Sequence, residues 1–364
     1  MDKFGFVKLK DVCNINMGQS PDSDSYNDNE DGIPFFQGNA DFGEKYPTTR
    51  KWCNAPTKIA HAEDILISVR APIGALNYAK EECCIGRGLA AITPNQDKVS
   101  SGFIYWLLKG KHKELNLQGT GSTFKAISRK VLEEIKVPDI ELKKQTELAG
   151  SLEKVYSVIQ LRKQQLEELD ILIKARFVEM FGDPIQNEKN WSRRSLEQLC
   201  HSIVDCPHST PNYISEDTGF MCIRTSVVKK NKILWDEIEY IVEDEFNQRI
   251  QRKRPEKGDI VYTREGAILG IAAIIDRNCN VALGQRSMLL SPDSSVCTSE
   301  FICTAMNSDS FLSNALRGIS GSASPHINVG DIKSFEMIAP PLELQRKFSE
   351  FNSQVDKLKF VETI

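Results

Sequence analysis

Apolar and polar positions alternate between two textures along this chain. Short β-like runs, bounded by Gly, Pro, Asn and Asp, occupy Ile33–Phe36, Ile65–Val69, Met221–Arg224, Ile260–Thr263 and Ile271–Ile275. They predict two regions of small twisted sheets. Two other stretches switch to helical spacing. The first follows Pro138, with Asp139 as its expected cap, and runs from Glu141 to Phe181. Its apolar positions are Leu148, Leu152, Val155, Ile159, Leu166, Leu169 and Ile173, and Arg162 fills the vacant heptad place. Gly182 and Pro184 supply the stop. A continuous helix over this span would be about 60 Å long. The second starts at Pro340-Pro341 and repeats the four-three step at Leu344, Phe348, Phe351, Val355 and Leu358. The shared spacing predicts two seams packed antiparallel; two unrelated amphipathic helices, or a seam filled by a partner helix, would satisfy it as well.

The chain also repeats itself at roughly half its length. Leu9-x-x-Val12-Cys13 recurs as Leu196-x-x-Leu199-Cys200, and Gly32–Asn39 aligns with Gly219–Ser226, both at an offset of 187. Asp64–Ser68 matches Asp259–Thr263 at 195, and Gly86 and Pro94 match Gly284 and Pro292 at 198. Gly121-Ser122, Ile127, Leu142 and Gln145 match Gly321-Ser322, Ile327, Leu342 and Gln345 at 200. An offset that grows in one direction is what loop insertions in the second copy produce. The expected fold is therefore α+β, with α/β-like character: two similar domains joined by long antiparallel coiled-coil helices in a pseudo-two-fold arrangement. The expected divisions are 1–140, 141–182, 183–338 and 339–364.

Composition narrows the class. The chain has 364 residues, 40% of them hydrophobic and 26% charged, which suits folded domains. No apolar run approaches the length that spans a bilayer. The start lacks a secretory core, and ten cysteines are too dilute for a disulfide scaffold, so a cytoplasmic protein is expected. The net charge of -4 argues against a polycation that coats nucleic acid nonspecifically. Two globular units on a rigid spacer would suit a reader of two short sequences separated by a fixed gap along B-DNA.

Several strings resemble the DNA specificity (S) subunit of type I restriction–modification systems. They are Gly219-Phe220-Met221-Cys222-Ile223-Arg224-Thr225-Ser226, Lys257-Gly258-Asp259-Ile260-Val261, Gly121 through Ile135 leading into Val137-Pro138, Pro340-Pro341-Leu342-Glu343-Leu344-Gln345, and Ala175–Pro184 with its Phe-Gly-Asp-Pro ending. The resemblance covers nearly the whole chain. It implies target-recognition domains at 1–140 and 183–338, a central long helix of the family's conserved type at 141–182 and a short one at 339–364. It implies a non-catalytic subunit that reads a bipartite site in double-stranded DNA. Two methyltransferase (modification) subunits and ATP-dependent restriction subunits would be its partners, with no membrane. S-adenosylmethionine, ATP and Mg would sit on those partners, with no cofactor in this chain. The first helix start departs from the family by lacking the double proline, and the second helix is short.

Other chemistries are weakly represented. Ala339-Pro340-Pro341-Leu342 lacks the amide or carboxylate that would open a methyltransferase loop, and Gly119-Thr120-Gly121-Ser122 lacks the lysine of a phosphate loop. Asp139 and Glu141 diverge at a helix start, which does not suit a shared metal. Cys200, His201, Cys206 and His208 lack paired metal-ligand spacing, so no metal site is expected. A stand-alone methyltransferase or nuclease, and a coiled-coil scaffold without a DNA role, are the alternative readings.

Base reading needs Arg for guanine and Gln or Asn for adenine, on loops of a rigid sheet. The candidates are Gln37, Asn39, Arg70 and Arg87 in the first half, and Arg224, Thr225, Ser226, Arg264, Gln285 and Arg286 in the second. For phosphate, the candidates are Lys109, Lys111, Lys113, Lys125, Arg129 and Lys130, and the run Arg249, Arg252, Lys253, Arg254 and Lys257. The partner-docking candidates are the seam residues Leu148, Leu152, Val155, Ile159, Leu166, Leu169, Ile173, Phe348, Phe351, Val355 and Leu358.

Overall fold

The structure is a computed structural model that describes residues 5–121, 125–317 and 325–361. Ser122 and the Gly321-Ser322 pair of the repeat lie outside the described residues. The chain divides into two compact units, Met1–Arg162 and Lys163–Ile364.

In the first unit, Cys13–Met17, Leu89–Pro94, Ile65–Ser68 and Leu76–Tyr78 form an antiparallel sheet in that order. Alternation along the strands places Ile65, Ile67, Ala90 and Ile92 against the helix Ser101–Gly110, in one core. Leu66, Leu89 and Ala91 point the other way, into a second core with Phe36 and Ile85. A sheet buried on both faces reads as a continuous apolar run, which is why Ile65–Ser68 was visible as one. The second sheet is ordered Tyr26–Asn27, Trp52–Cys53, Ile33–Phe36, Cys83–Ile85, Ile59–Ala60, and Ile33–Phe36 runs parallel to Cys83–Ile85.

The second unit repeats this plan. Cys200–Asp205, Ser287–Pro292, Ile260–Thr263 and Ala272–Ile274 form its antiparallel sheet. Ile260, Tyr262, Met288 and Leu290 face the helical core, while Val261 and Leu289 face the other. Glu239–Tyr240, Met221–Ile223 and Val281–Leu283 make its second sheet, again with a parallel pair, Met221–Ile223 beside Val281–Leu283. The offset between the halves grows from 187 to 195 across the stretch that holds a helix of the second unit, Glu243–Arg249.

The cap of the first long helix departs from expectation. Pro138 and Asp139 belong to a strand, Lys136–Asp139, paired with Gly5–Lys8, so Asp139 does not cap the long helix, which runs Leu142–Phe181. Gln145 closes that end instead. Its Oε1 accepts from the Ser100 amide at 2.9 Å, and its Nε2 donates to the Ile140 carbonyl at 2.8 Å and the Lys98 carbonyl at 3.3 Å. Gln345 does the same in the second unit, with the Thr298 amide at 3.0 Å and the Pro340 and Val296 carbonyls at 2.8 and 3.4 Å. Both glutamines are buried, where an unmade bond would be costly.

Within the second unit the end of the long helix packs antiparallel on the helix Leu342–Val361. Phe177 and Phe181 meet Phe301 and Phe348 with ring centroids 4.9–5.6 Å apart. Arg176 lies 5.8 Å over the Phe351 ring, and Lys359 Nζ meets Asp170 at 2.8 Å. Ile173 and Val355 are buried there, and Leu169 packs against the same core. Elsewhere on the seam, Leu148, Leu152, Val155 and Ile159 of the first unit are exposed, and Leu166 is half-buried. Helical periodicity marks a face that favours cover without deciding whether cover is present.

Candidate functional site

In the first unit the parallel strands set the site. Gln37 follows Ile33–Phe36, and Gly86-Arg87-Gly88 follows Cys83–Ile85. The Gly86 amide donates to the Phe36 carbonyl at 2.8 Å. A Cβ on Gly88 would lie 2.3 Å from the Gln37 carbonyl oxygen, so glycine is required for this approach. The Val69 amide donates to the Gly88 carbonyl at 2.9 Å, which brings in Arg70, and the Ala71 amide donates to the Lys125 carbonyl at 3.0 Å. Gln37, Arg70, Arg87 and Lys125, distant in sequence, thus gather at one end of the unit, all exposed. Asn39 opens the adjacent turn and is half-buried.

The second unit builds the same corner. The Gly284 amide donates to the Ile223 carbonyl at 2.9 Å, placing Gln285 and Arg286 beside Arg224. The Arg264 amide donates to the Arg286 carbonyl at 3.0 Å. Arg286 is exposed and holds a positive φ of 70°, and its guanidinium lies close to Gly266. Thr225 and Ser226 start a short turn next to Arg224, half-buried and exposed respectively. Arg224 lies 4.6 Å over the Tyr213 ring and forms an ion pair with Glu239. Burial pushes the Tyr213 phenol up, so it stays neutral.

Two expected contact residues are interior. Arg264 is buried; its Nε and Nη2 reach Asp205 at 2.9 and 3.3 Å, and its Nη1 reaches the Ile327 carbonyl at 3.3 Å. It fastens two loops, and its donors face protein acceptors rather than a base. Arg249 is buried as well, paired with Glu245 and bonded to the Ser209 carbonyl at 2.9 Å, so it holds a loop and is not a phosphate contact. Nothing in the sequence marks either as buried, because a lone Arg carries no periodic signal of burial. Other members of the basic sets are already engaged. Lys109 sits 3.5 Å over the Tyr156 ring, Arg129 pairs with Glu133, Lys253 with Asp259, and Arg254 reaches Asn280.

Four further residues stand at these corners with no motif to mark them: Tyr26, Lys51, Tyr213 and Glu239. Tyr213 and Tyr26 are 187 positions apart, the offset of their neighbours, and that spacing could have revealed them. In the first unit the cation over Tyr26 is Lys51, at 5.7 Å. The Lys51 carbonyl accepts from the Phe35 amide and its ammonium lies 3.7 Å from Asp28, while in the second unit Glu239 pairs with Cys222. Phe35 and Cys222 are themselves 187 apart, so Lys51 stands at the place of Glu239.

The chain is thus a duplicated module, each copy gathering polar side chains at the ends of a parallel strand pair. The family model for the type I restriction modification DNA specificity domain matches residues 1–170 and 188–363, and the chain belongs to that family. It is 43% identical over 156 residues to the type I restriction enzyme MjaX specificity subunit of Methanocaldococcus jannaschii, which covers 43% of this chain and 37% of that protein. The chain therefore spans well under half of that relative. It is 20% identical over 372 residues to the type I restriction enzyme EcoBI specificity subunit of Escherichia coli, covering 94% of this chain and 77% of that one. The crystal structure of the type I restriction–modification S subunit from M. genitalium shares the fold, with a TM-score of 0.59 at 15% identity over 99% of this chain and 91% of that one. No helix among the described residues is long and apolar enough to cross a membrane.

Proposed function

We propose that each unit reads one half of a bipartite site in double-stranded DNA, and that the chain is the non-catalytic specificity subunit of a type I restriction–modification complex. The observation that carries this reading is the duplicated strand-end corner. It collects Gln37, Arg70, Arg87 and Lys125 in one unit and Arg224, Gln285 and Arg286 in the other. These side chains supply donors and acceptors suited to base edges and cations suited to phosphate. Asn39, Thr225 and Ser226 flank them and serve in the same reading.

Methyltransferase subunits, two of them, and ATP-dependent restriction subunits are the proposed partners, and S-adenosylmethionine, ATP and Mg belong on those subunits. The exposed apolar stripe of Leu148, Leu152, Val155 and Ile159 supports a docking role for the long helix, since contiguous exposed apolar surface marks interaction sites. The proposed setting is the cytoplasm, where the DNA is.

The test is DNA binding by the chain together with its methyltransferase subunit across a salt series. Lys125→Ala should lower the slope of log affinity against log salt by about one without changing base preference, and Arg87→Ala should weaken base discrimination in one half-site. An unchanged slope in the first variant together with an unchanged base preference in the second would argue against this corner as the DNA surface.

A further inference from the structure

We propose that Glu239, with Tyr213, makes Arg224 a reader of a guanine edge in the second half-site and keeps it from acting as a phosphate contact. This rests on the reading of the strand-end corner as the DNA interface. Arg224 is bracketed: its Nη1 donates a hydrogen bond to the Glu239 carboxylate, and the guanidinium lies 4.6 Å over the Tyr213 ring. The bracket is itself fixed. Ile214, next to Tyr213, exchanges backbone hydrogen bonds with Tyr240, next to Glu239, at 2.8 and 2.9 Å. Arg249, with its side chain 3% exposed, ties down the Ser209 carbonyl upstream, and Glu245 accepts from the Asn212 amide at 3.2 Å. A Cβ on Gly284 would lie 2.7 Å from the Tyr213 hydroxyl, so the ring is seated against the neighbouring strand end.

The chemistry follows from what remains. A guanidinium carries five N–H donors in one plane; with part of that set on a carboxylate and one face on a ring, the plane is held and the remaining donors are still available. The Arg224 side chain is 46% exposed, so those donors are reachable. A phosphate is an anion and meets a cation whose charge the adjacent carboxylate already cancels. The O6 and N7 acceptors of guanine are neutral, lose less to that carboxylate, and gain from a guanidinium ordered before contact.

The first unit separates this role from folding. It builds the same sheet and the same tyrosine, Tyr26, yet places Lys51 where the second has Glu239, and Gln37 where the second has Arg224. The carboxylate is therefore not required by the module. It belongs with the arginine it holds.

The experiment measures base preference and salt slope for the chain bound to its methyltransferase subunit, on a DNA library randomised in both half-sites. Arg224→Ala should lose about tenfold discrimination at one guanine of the second half-site, with little change in salt slope. Glu239→Gln should lose discrimination at that same base, raise the salt slope by about one, and tighten binding to unrelated DNA. Glu239→Asp should restore part of the discrimination. A merely structural Glu239 would weaken all binding together and leave the base ratio intact; that result, alongside a normal Arg224→Ala phenotype, overturns this inference alone. If Arg224→Ala leaves every base preference intact, the interface reading falls with it. The first half-site is the internal control throughout.

Discussion

Arg264 stands where the first unit has Val69, a buried position whose amide likewise donates across to the neighbouring strand end, and Arg70 lies one residue further on and is exposed. An arginine at that buried position needs a partner. Asp205 receives two guanidinium contacts and His208 at 3.0 Å, so a full set of acceptors makes burial tolerable. Arg264→Met should destabilise the second unit by about 3–5 kcal/mol, because it leaves a carboxylate without its main counter-ion in a half-buried site. Urea denaturation checks this, and a change under 1 kcal/mol would show that His208 and water suffice. At this scale the sequence is least informative. Residue type nominated Arg70, Arg87, Arg224, Arg264 and Arg286 equally, and only the Asp205, Glu239 and backbone contacts, made by residues elsewhere in the chain, sort them into buried fasteners and exposed side chains. The places of Gln37 and Arg87 at strand ends were legible because each follows an apolar run and sits beside a glycine. Tyr213 was not, because a single aromatic beyond a loop has no periodicity.

The two closing helices show where element-level reasoning succeeds and stops. Ile33–Phe36, Ile260–Thr263 and the start at Leu342 are visible in the pattern because apolar runs end against Gly or Pro. Strands of two residues, such as Trp52–Cys53 and Ile59–Ala60, carry too few positions to show an alternation. Position 348 and position 148 are matched by the repeat, yet Phe348 is fully buried and Leu148 is 39% exposed. Phe348→Ala should cost about 3–5 kcal/mol through the cavity it leaves among Phe177, Phe181 and Phe301, whereas Leu148→Ala should cost under about 1 kcal/mol in the free chain. Paired thermal melts decide this; equal losses would mean that Leu148 is covered in solution. Gln145→Ala and Gln345→Ala should each cost about 2–3 kcal/mol, because each strips the same three bonds from buried partners. A large loss at one and none at the other would contradict their equivalence.

Across the whole molecule, duplication is what turns a weak local signal into a functional one. Each match between the halves is minor, but the bonds of Gln145 and Gln345, the glycines at 86 and 284, and the tyrosines at 26 and 213 recur in the same structural places. The shared interior has a pH consequence. Burial pushes the Cys13, Cys83, Cys200, Cys222 and Cys297 thiols up to about 12, from an ordinary value near 9.0. These thiols stay neutral in the fold while their unfolded counterparts ionise, so their contribution to stability is intact below pH 9 and is lost as pH rises toward 12. Thermal melts from pH 8 to 11 should show a falling midpoint, and a flat profile would mean that the thiols are accessible in the folded chain. The central claim, two modules that each read half of one site, is tested most directly by methylome sequencing of cells that carry this chain with its methyltransferase subunit, as wild type and as Arg224→Ala. The account predicts a bipartite methylated motif with an unspecified gap, relaxed by the substitution in one half only; a continuous motif, or a change spread over both halves, would contradict it.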